Sequence, residues 1–271
     1  MKLFGTRYLA LACFGIALGA GCSGEEPAAR GDVISLATDV DGDWDIMVIH
    51  LSSQTGSLIT HNGANDWAPS LSPDGEWIVY ASNYADGEMM DLEMLDSEGN
   101  PVRITGEATG AWDLYVMPTA GGDPVQLTDT VATEDQPAWS PDGSRIAFQS
   151  ERDYGTEIYL MDADGTSVTQ ITYSSGNNWS PAWSPDGTLL AFSSDRTGDW
   201  EIYVMVADGT NTTQITRTPS TDIEPVWSPD GTNILFASNR RGPQELFTIP
   251  SAGGDPKPLG QVGLPSHWIR G

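Results

Sequence analysis

The chain has 271 residues and carries 38 Asp and Glu against 12 Lys and Arg, a formal net charge of −26 at pH 7. So acidic a surface repels nucleic acid and anionic lipid, which excludes both as ligands and leaves basic partners, divalent cations or plain solubility as uses for the charge. The length is ample for one large core.

In chain order, Lys2 and Arg7 precede an apolar run from Tyr8 to Ala20. This predicts a secretory signal over residues 1–21, too short and too Gly-rich to span a membrane. The small residues Gly19-Ala20-Gly21 ahead of Cys22 resemble a bacterial lipoprotein signal, although Gly19 stands where such signals carry Leu. The resemblance implies acylation of Cys22, export, and contact with the membrane through a lipid anchor only. Ser23 after the Cys resembles the outer-membrane sorting class, which implies a site on the outer membrane facing the periplasm. The alternative is an ordinary cleaved signal. Residues 22–32 are small, polar and Pro-bearing, as suits a flexible tether. Cys13 falls within the signal, so the mature chain has no partner for Cys22 and no internal disulfide.

The remaining residues, 33–271, form one domain built on a repeat. Val33 to Thr60 reads as strands two to four of a first unit. Within it, Asp39-Val40-Asp41-Gly42-Asp43-Trp44-Asp45 sets carboxylates at alternate positions, as calcium loops do. Asp39, Asp41 and Asp43 are therefore candidate calcium ligands, calcium being the one cofactor suggested. The alternative is a solvated acidic hairpin. The next unit is marked by Leu71-Ser72-Pro73-Asp74-Gly75, and the full phrase Trp-Ser-Pro-Asp-Gly begins at Trp139, Trp183 and Trp227, spaced 44 residues apart.

Ser180 to Thr216 shows the unit clearly. Pro181-Ala182-Trp183-Ser184 is a first strand, Pro185-Asp186-Gly187 a tight turn, Leu189 to Ser193 a second strand, Glu201 to Met205 a third and Thr213 to Thr216 a fourth. Between Ser72 and Ser140 the spacing exceeds the repeat by 24 residues, and the surplus lies between about Asn83 and Ala111. It holds a second strand-three and strand-four pattern, Asp91–Asp96 and Val102–Thr105. Leu264 to Trp268 reads as a lone first strand. A period near 44 with four short strands per unit predicts an all-β fold: a β-propeller of five four-stranded blades, with a sixth, degenerate blade as the other reading of the insertion. Joining the N- and C-terminal pieces into one blade closes the ring and removes its exposed edges.

The stretches Pro137 to Thr172 and Pro181 to Thr216 resemble the propeller repeats of the TolB family, and the resemblance covers residues 33–268. It implies a propeller in the bacterial cell envelope that binds protein; the family's namesake is a periplasmic partner of a peptidoglycan-associated lipoprotein. This chain departs from that namesake in having no α/β domain ahead of the propeller and in carrying the lipoprotein-type signal. Related repeats also form accessory propellers of prolyl-oligopeptidase-type peptidases and occur in some sugar lyases.

Chemistry-bearing motifs are scarce. There is no Gly-x-Ser-x-Gly nucleophile elbow, and His50, His61 and His267 fall at three different repeat positions, so the sequence does not read as an enzyme. The segment ahead of each first strand enters beside the central channel: Asp66-Trp67, Glu134-Asp135, Asn178-Trp179, and Asp222 with Glu224. Loops between strands two and three open on the same face and bring Trp44 and Trp200, along with Tyr84 and Tyr154. These residues predict an acidic, aromatic-rich mouth for a basic protein or peptide. The tryptophans at 44, 112 and 200 serve equally well as seals between blades, and those at 139, 183 and 227 follow the strict repeat and read as structural. The expected function is that of a non-catalytic envelope lipoprotein binding a protein or peptide partner; the alternatives are a carbohydrate-binding propeller or a small glycan lyase or hydrolase.

Overall fold

The computed structural model describes residues 33–39, 42–84, 93–95, 101–103, 111–152 and 155–263. Cys22, Asp41, Tyr154 and the closing segment 264–268 lie outside them. The first blade holds β1 (Val33–Asp39), β2 (Trp44–His50) and β3 (Thr55–Leu58). The second holds β4 (Asp66–Leu71) and β5 (Trp77–Ser82); a hairpin of β6 (Glu93–Leu95) and β7 (Pro101–Arg103) follows, and then β8 (Asp113–Pro118) and β9 (Val125–Gln126). The third holds β10 (Glu134–Trp139), β11 (Arg145–Ser150), β12 (Glu157–Asp162) and β13 (Thr169–Gln170). The fourth holds β14 (Asn178–Trp183), β15 (Leu189–Ser194), β16 (Glu201–Val206) and β17 (Thr213–Gln214). The fifth holds β18 (Asp222–Trp227), β19 (Asn233–Ser238), β20 (Glu245–Pro250) and β21 (Lys257–Val262).

These sheets are antiparallel, and the molecule is a five-bladed β-propeller. The second to fifth blades are complete four-stranded meanders, and the first shows three strands among the described residues, as its sequence predicts. The insertion is an extra hairpin and not a sixth blade. β5 pairs directly with β8, from Trp77 opposite Pro118 to Ser82 opposite Asp113, while among the described residues β6 and β7 pair with each other alone.

The Ser-Pro-Asp-Gly turn explains the regularity. In the fourth blade Ser184 Oγ donates to Asp186 Oδ1 at 2.6 Å and accepts from the Leu189 amide at 2.9 Å. Asp186 Oδ1 also accepts from the Thr188 amide at 3.0 Å. These bonds hold the Asp186 carboxyl below the usual carboxylate range, the Ser184 hydroxyl contributing most. Gly187 closes the turn at φ +71°, a left-handed conformation that costs a residue with a Cβ dearly.

The strands β4, β10, β14 and β18 contact one another in series and line the axis. Each carries a bulge at a non-glycine residue of positive φ: Ala68, Gln136, Ser180 and Glu224, at +49° to +57°. Proline follows each of them, at 69, 137, 181 and 225, where the bulge frees the ring from supplying a ladder N–H.

Apolar burial lies between blades. One cluster joins Ile158, Leu160 and Ile171 of the third blade to Trp183, Phe192 and Tyr203 of the fourth; another joins Ile202 and Val204 to Trp227, Phe236 and Phe247. The repeat tryptophans bolt this contact: Trp183 Nε1 donates to the Ala138 carbonyl at 3.0 Å and Trp227 Nε1 to the Ala182 carbonyl at 3.1 Å. At Trp139 the indole N–H is buried without a hydrogen-bond partner.

Candidate functional site

The first residue of each inner strand is polar and wholly buried: Asp66, Glu134, Asn178 and Asp222 are each 0% exposed. In three blades an arginine from the loop after the second strand holds it. Arg152 Nη2 donates to Glu134 Oε1 at 2.9 Å, Arg196 Nη2 to Asn178 Oδ1 at 2.6 Å, and Arg240 Nη2 to Asp222 Oδ2 at 2.7 Å. Each Nε bonds a serine, Ser150, Ser194 or Ser238, and each guanidinium lies 4.6–5.7 Å from two ring centroids of its own blade. This corrects the sequence reading of Asp66, Glu134, Asn178 and Asp222 as open mouth groups: they are internal, and the charges of Glu134 and Asp222 are met within the fold. The signal for the arginines was present as Ser-x-Arg at 150–152, 194–196 and 238–240, on the same spacing as the tryptophans.

A second carboxylate stands behind each of these groups, at the start of the third strand of the preceding blade. Glu157 accepts from Thr172 at 2.5 Å and from Asn178 Nδ2 at 2.7 Å. Glu201 accepts from Thr216 and from the Thr218 amide, both at 2.5 Å. Burial pushes Glu157 and Glu201 up from the ordinary range, and at Glu201 the Asp222 charge adds to it.

What remains exposed nearby is aromatic. Trp44 and Trp67, 38% and 40% exposed, meet edge to face with centroids 5.0 Å apart across the first and second blades. Trp179, 40% exposed, lies 4.3 Å from Trp200. Asp135 and Glu224 occupy the channel wall. Burial raises Asp135 to about 6, the Gln136 amide at 2.6 Å offsetting part of this and the Glu151 charge adding to it. Burial also raises Glu224; Ser180 beside it lowers it, and the Asp135 charge raises it further.

A folded-state pKa above the unfolded value means that the fold holds the Asp135 proton more tightly than the unfolded chain does. Its favourable contribution is complete at low pH and is lost as pH rises from about 4 through about 6. Asp135→Asn keeps the oxygen that the Gln136 amide bonds. It should raise stability by about 2 kcal/mol at pH 7.5 and by nothing near pH 3.5, read from urea melts at both pH values. A variant no more stable than the parent at pH 7.5 would mean that Asp135 is well solvated.

In the first hairpin the Gly42 amide donates to Asp39 Oδ1 at 3.2 Å, and Asp41 lies outside the described residues. Among the described residues no three His, Cys, Asp or Glu side chains converge on a point that would hold a metal ion.

Residues 174–265 match the model of the TolB beta propeller domain. The propeller is similar in fold to TolB propellers. Residues 108–199 of the chain also match the model of the Tricorn protease N-terminal beta propeller domain. Among solved structures it is similar to TolB from Acinetobacter baumannii, at 18% identity and a TM-score of 0.67, with 85% of this chain and 53% of that one covered. It thus spans about half of that protein's length. A putative TolB from Agrobacterium tumefaciens aligns at 23% identity and a TM-score of 0.53, over 83% of this chain and 89% of that one. An oligogalacturonate lyase in complex with manganese aligns at 16% and 0.52, over 85% and 74%. These are likenesses of fold. No curated protein matches the sequence.

Proposed function

We propose that this propeller is a non-catalytic binding protein of the bacterial cell envelope, lipid-anchored through Cys22, whose channel mouth captures a basic protein or peptide. The observation that carries the reading is the pairing of Trp44 with Trp67 and of Trp179 with Trp200, three of the four rings exposed, on a propeller whose inner strands also carry the carboxylates Asp135 and Glu224. Large, rigid rings beside desolvated acids are the composition of a recognition hot spot. The TolB likeness supports a protein ligand by analogy of fold only.

The test is capture from an envelope extract by the intact protein under increasing salt. Exposed charges are screened beyond about 8 Å at physiological ionic strength, so a basic partner should leave steeply as salt rises. Replacing Trp67 and Trp179 together by Ala should abolish capture. Trp77→Ala, at the far end of its blade and 43% exposed, should leave it intact. The same tryptophans would suit sugar rings, as in the lyase-like alternative. Salt-independent retention of oligogalacturonate by the intact protein would replace the peptide reading with that one.

A further inference from the structure

The junction between the first and second blades breaks the arginine rule. At the repeat position of Arg152, Arg196 and Arg240 stands Tyr84, which meets Tyr115 edge-on at 6.2 Å and brings no charge. At the position of the hydroxyl donors Thr130, Ser174 and Thr218 stands Asn62, whose Oδ1 accepts from the Ala64 amide. The Tyr84 change removes the cationic donor from this junction, while Asn62 still lends Asp66 a side-chain hydrogen bond. Asp66 Oδ1 accepts from Ser82 and Asp45 Oδ1 from Thr60 at 3.3 Å, but Oδ2 of each is buried with no hydrogen-bond partner. Both side chains are 0% exposed, and His61 Nδ1 stands 3.9 Å from Asp45 Oδ2. Burial raises both carboxyls, Asp66 to about 6; hydrogen bonds from Ser82, Thr60 and Asn62 offset part of this at Asp66 while the Asp45 charge adds to it, and at Asp45 the Asp43 charge adds while Thr60 and His61 offset part.

Two unpaired acceptors in adjoining strands are costly to leave so. The residues next to them in the chain, Trp44 and Trp67, are the exposed edge-to-face pair. We propose that this junction is a socket for one arginine side chain of the partner, whose guanidinium supplies to Asp45 and Asp66 the charge that the other three junctions draw from their own chain. The inference rests on the protein-binding reading above and names its partner's chemistry. A guanidinium suits the site better than a metal ion: the donors that converge are two carboxylates and aromatic rings, and a planar cation uses both at once. Binding requires the exposed indoles to part, since both Oδ2 atoms are covered in the free protein.

The experiment compares a capped Gly-Arg-Gly peptide with its citrulline analogue, which has the same shape and no charge. Both are titrated into the intact protein and followed by calorimetry and by the indole N–H resonances. The arginine peptide should bind saturably and at least about tenfold more tightly than the citrulline peptide. Asp66→Asn should weaken it by a similar factor. Tyr84→Arg should abolish binding and raise the melting temperature, because the chain then fills the socket itself. Equal affinity for the two peptides, or undiminished binding by Tyr84→Arg, would overturn the socket. So would a protein that ignores both peptides while Asp66→Asn gains stability, for the pair then shares a proton only. The Tyr84→Arg outcome stands should Asp66→Asn fail to fold. Capture of the envelope partner that persists in a Tyr84→Arg protein overturns the socket and leaves the binding face standing; capture lost only with Trp67 and Trp179 points the same way.

Discussion

Arg240→Ala should destabilise the protein by about 3–5 kcal/mol at neutral pH, the cost of leaving a buried charge without its partner. Asp222 is wholly buried, and its Oδ2 receives Arg240 Nη2 at 2.7 Å. The arginine also bonds Ser238 at 2.8 Å through Nε and covers the rings of Phe236 and Phe247. Its removal strips cation, donor and packing at once and leaves Asp222 facing Glu201, whose carboxyl is already pushed up by burial and by that neighbour. In the variant, protonation of Glu201, already pushed up by burial, would relieve the repulsion, so the deficit against the parent should shrink between pH 7.5 and pH 5. The double variant Arg240→Ala with Asp222→Asn should recover part of the loss at neutral pH, because the orphaned charge is gone. Arg240→Lys should sit between parent and Ala, since a lysine restores charge but neither the fork nor the flat stacking face. A single-variant cost near zero, measured by urea unfolding, would show that water reaches Asp222 freely.

The fold was legible because its cause is periodic. The Trp-Ser-Pro-Asp-Gly phrase joins an inner strand to its neighbour through a turn whose bonds are all local, so the spacing of the phrase is the spacing of the blades. The three-stranded first sheet followed from Val33–Thr60 lacking a first strand. The insertion stayed ambiguous in sequence because Glu93–Leu95 and Pro101–Arg103 carry the same alternation as a genuine outer hairpin. Only the direct pairing of Trp77–Ser82 with Asp113–Pro118 separates an extra hairpin from a blade. The site was half legible. Trp44 meets Trp67 and Trp179 meets Trp200, but residues 66, 134, 178 and 222, read as exposed, are buried. Polar character at a strand start reads as exposure unless the partner eighteen residues onward is seen. Arg152, Arg196 and Arg240 are those partners, and Tyr84 is the departure that gives the second blade its different chemistry.

Trp183→Ala should cost about 3–5 kcal/mol, comparable to the arginine loss but by another route. The indole is 8% exposed and belongs to the cluster that joins the third and fourth blades. Arg145 lies 5.1 Å above it, and its N–H reaches back to the Ala138 carbonyl. Truncation opens a cavity at a blade seam, where two rigid sheets cannot collapse to fill it. Trp183→Phe separates the contributions: it keeps most of the ring and strands the carbonyl, and it should cost about 1–3 kcal/mol. The equivalent change at Trp139 provides the internal control. That indole N–H is buried without a partner, so Trp139→Phe removes an unmet donor and should cost less than Trp183→Phe, or even stabilise. The comparison is read from paired urea melts of the two Phe variants. Equal losses would mean that ring volume alone ties the blades together. A larger loss at 183 than at 139 assigns the difference to the bond between one blade's indole and the backbone of the blade before it.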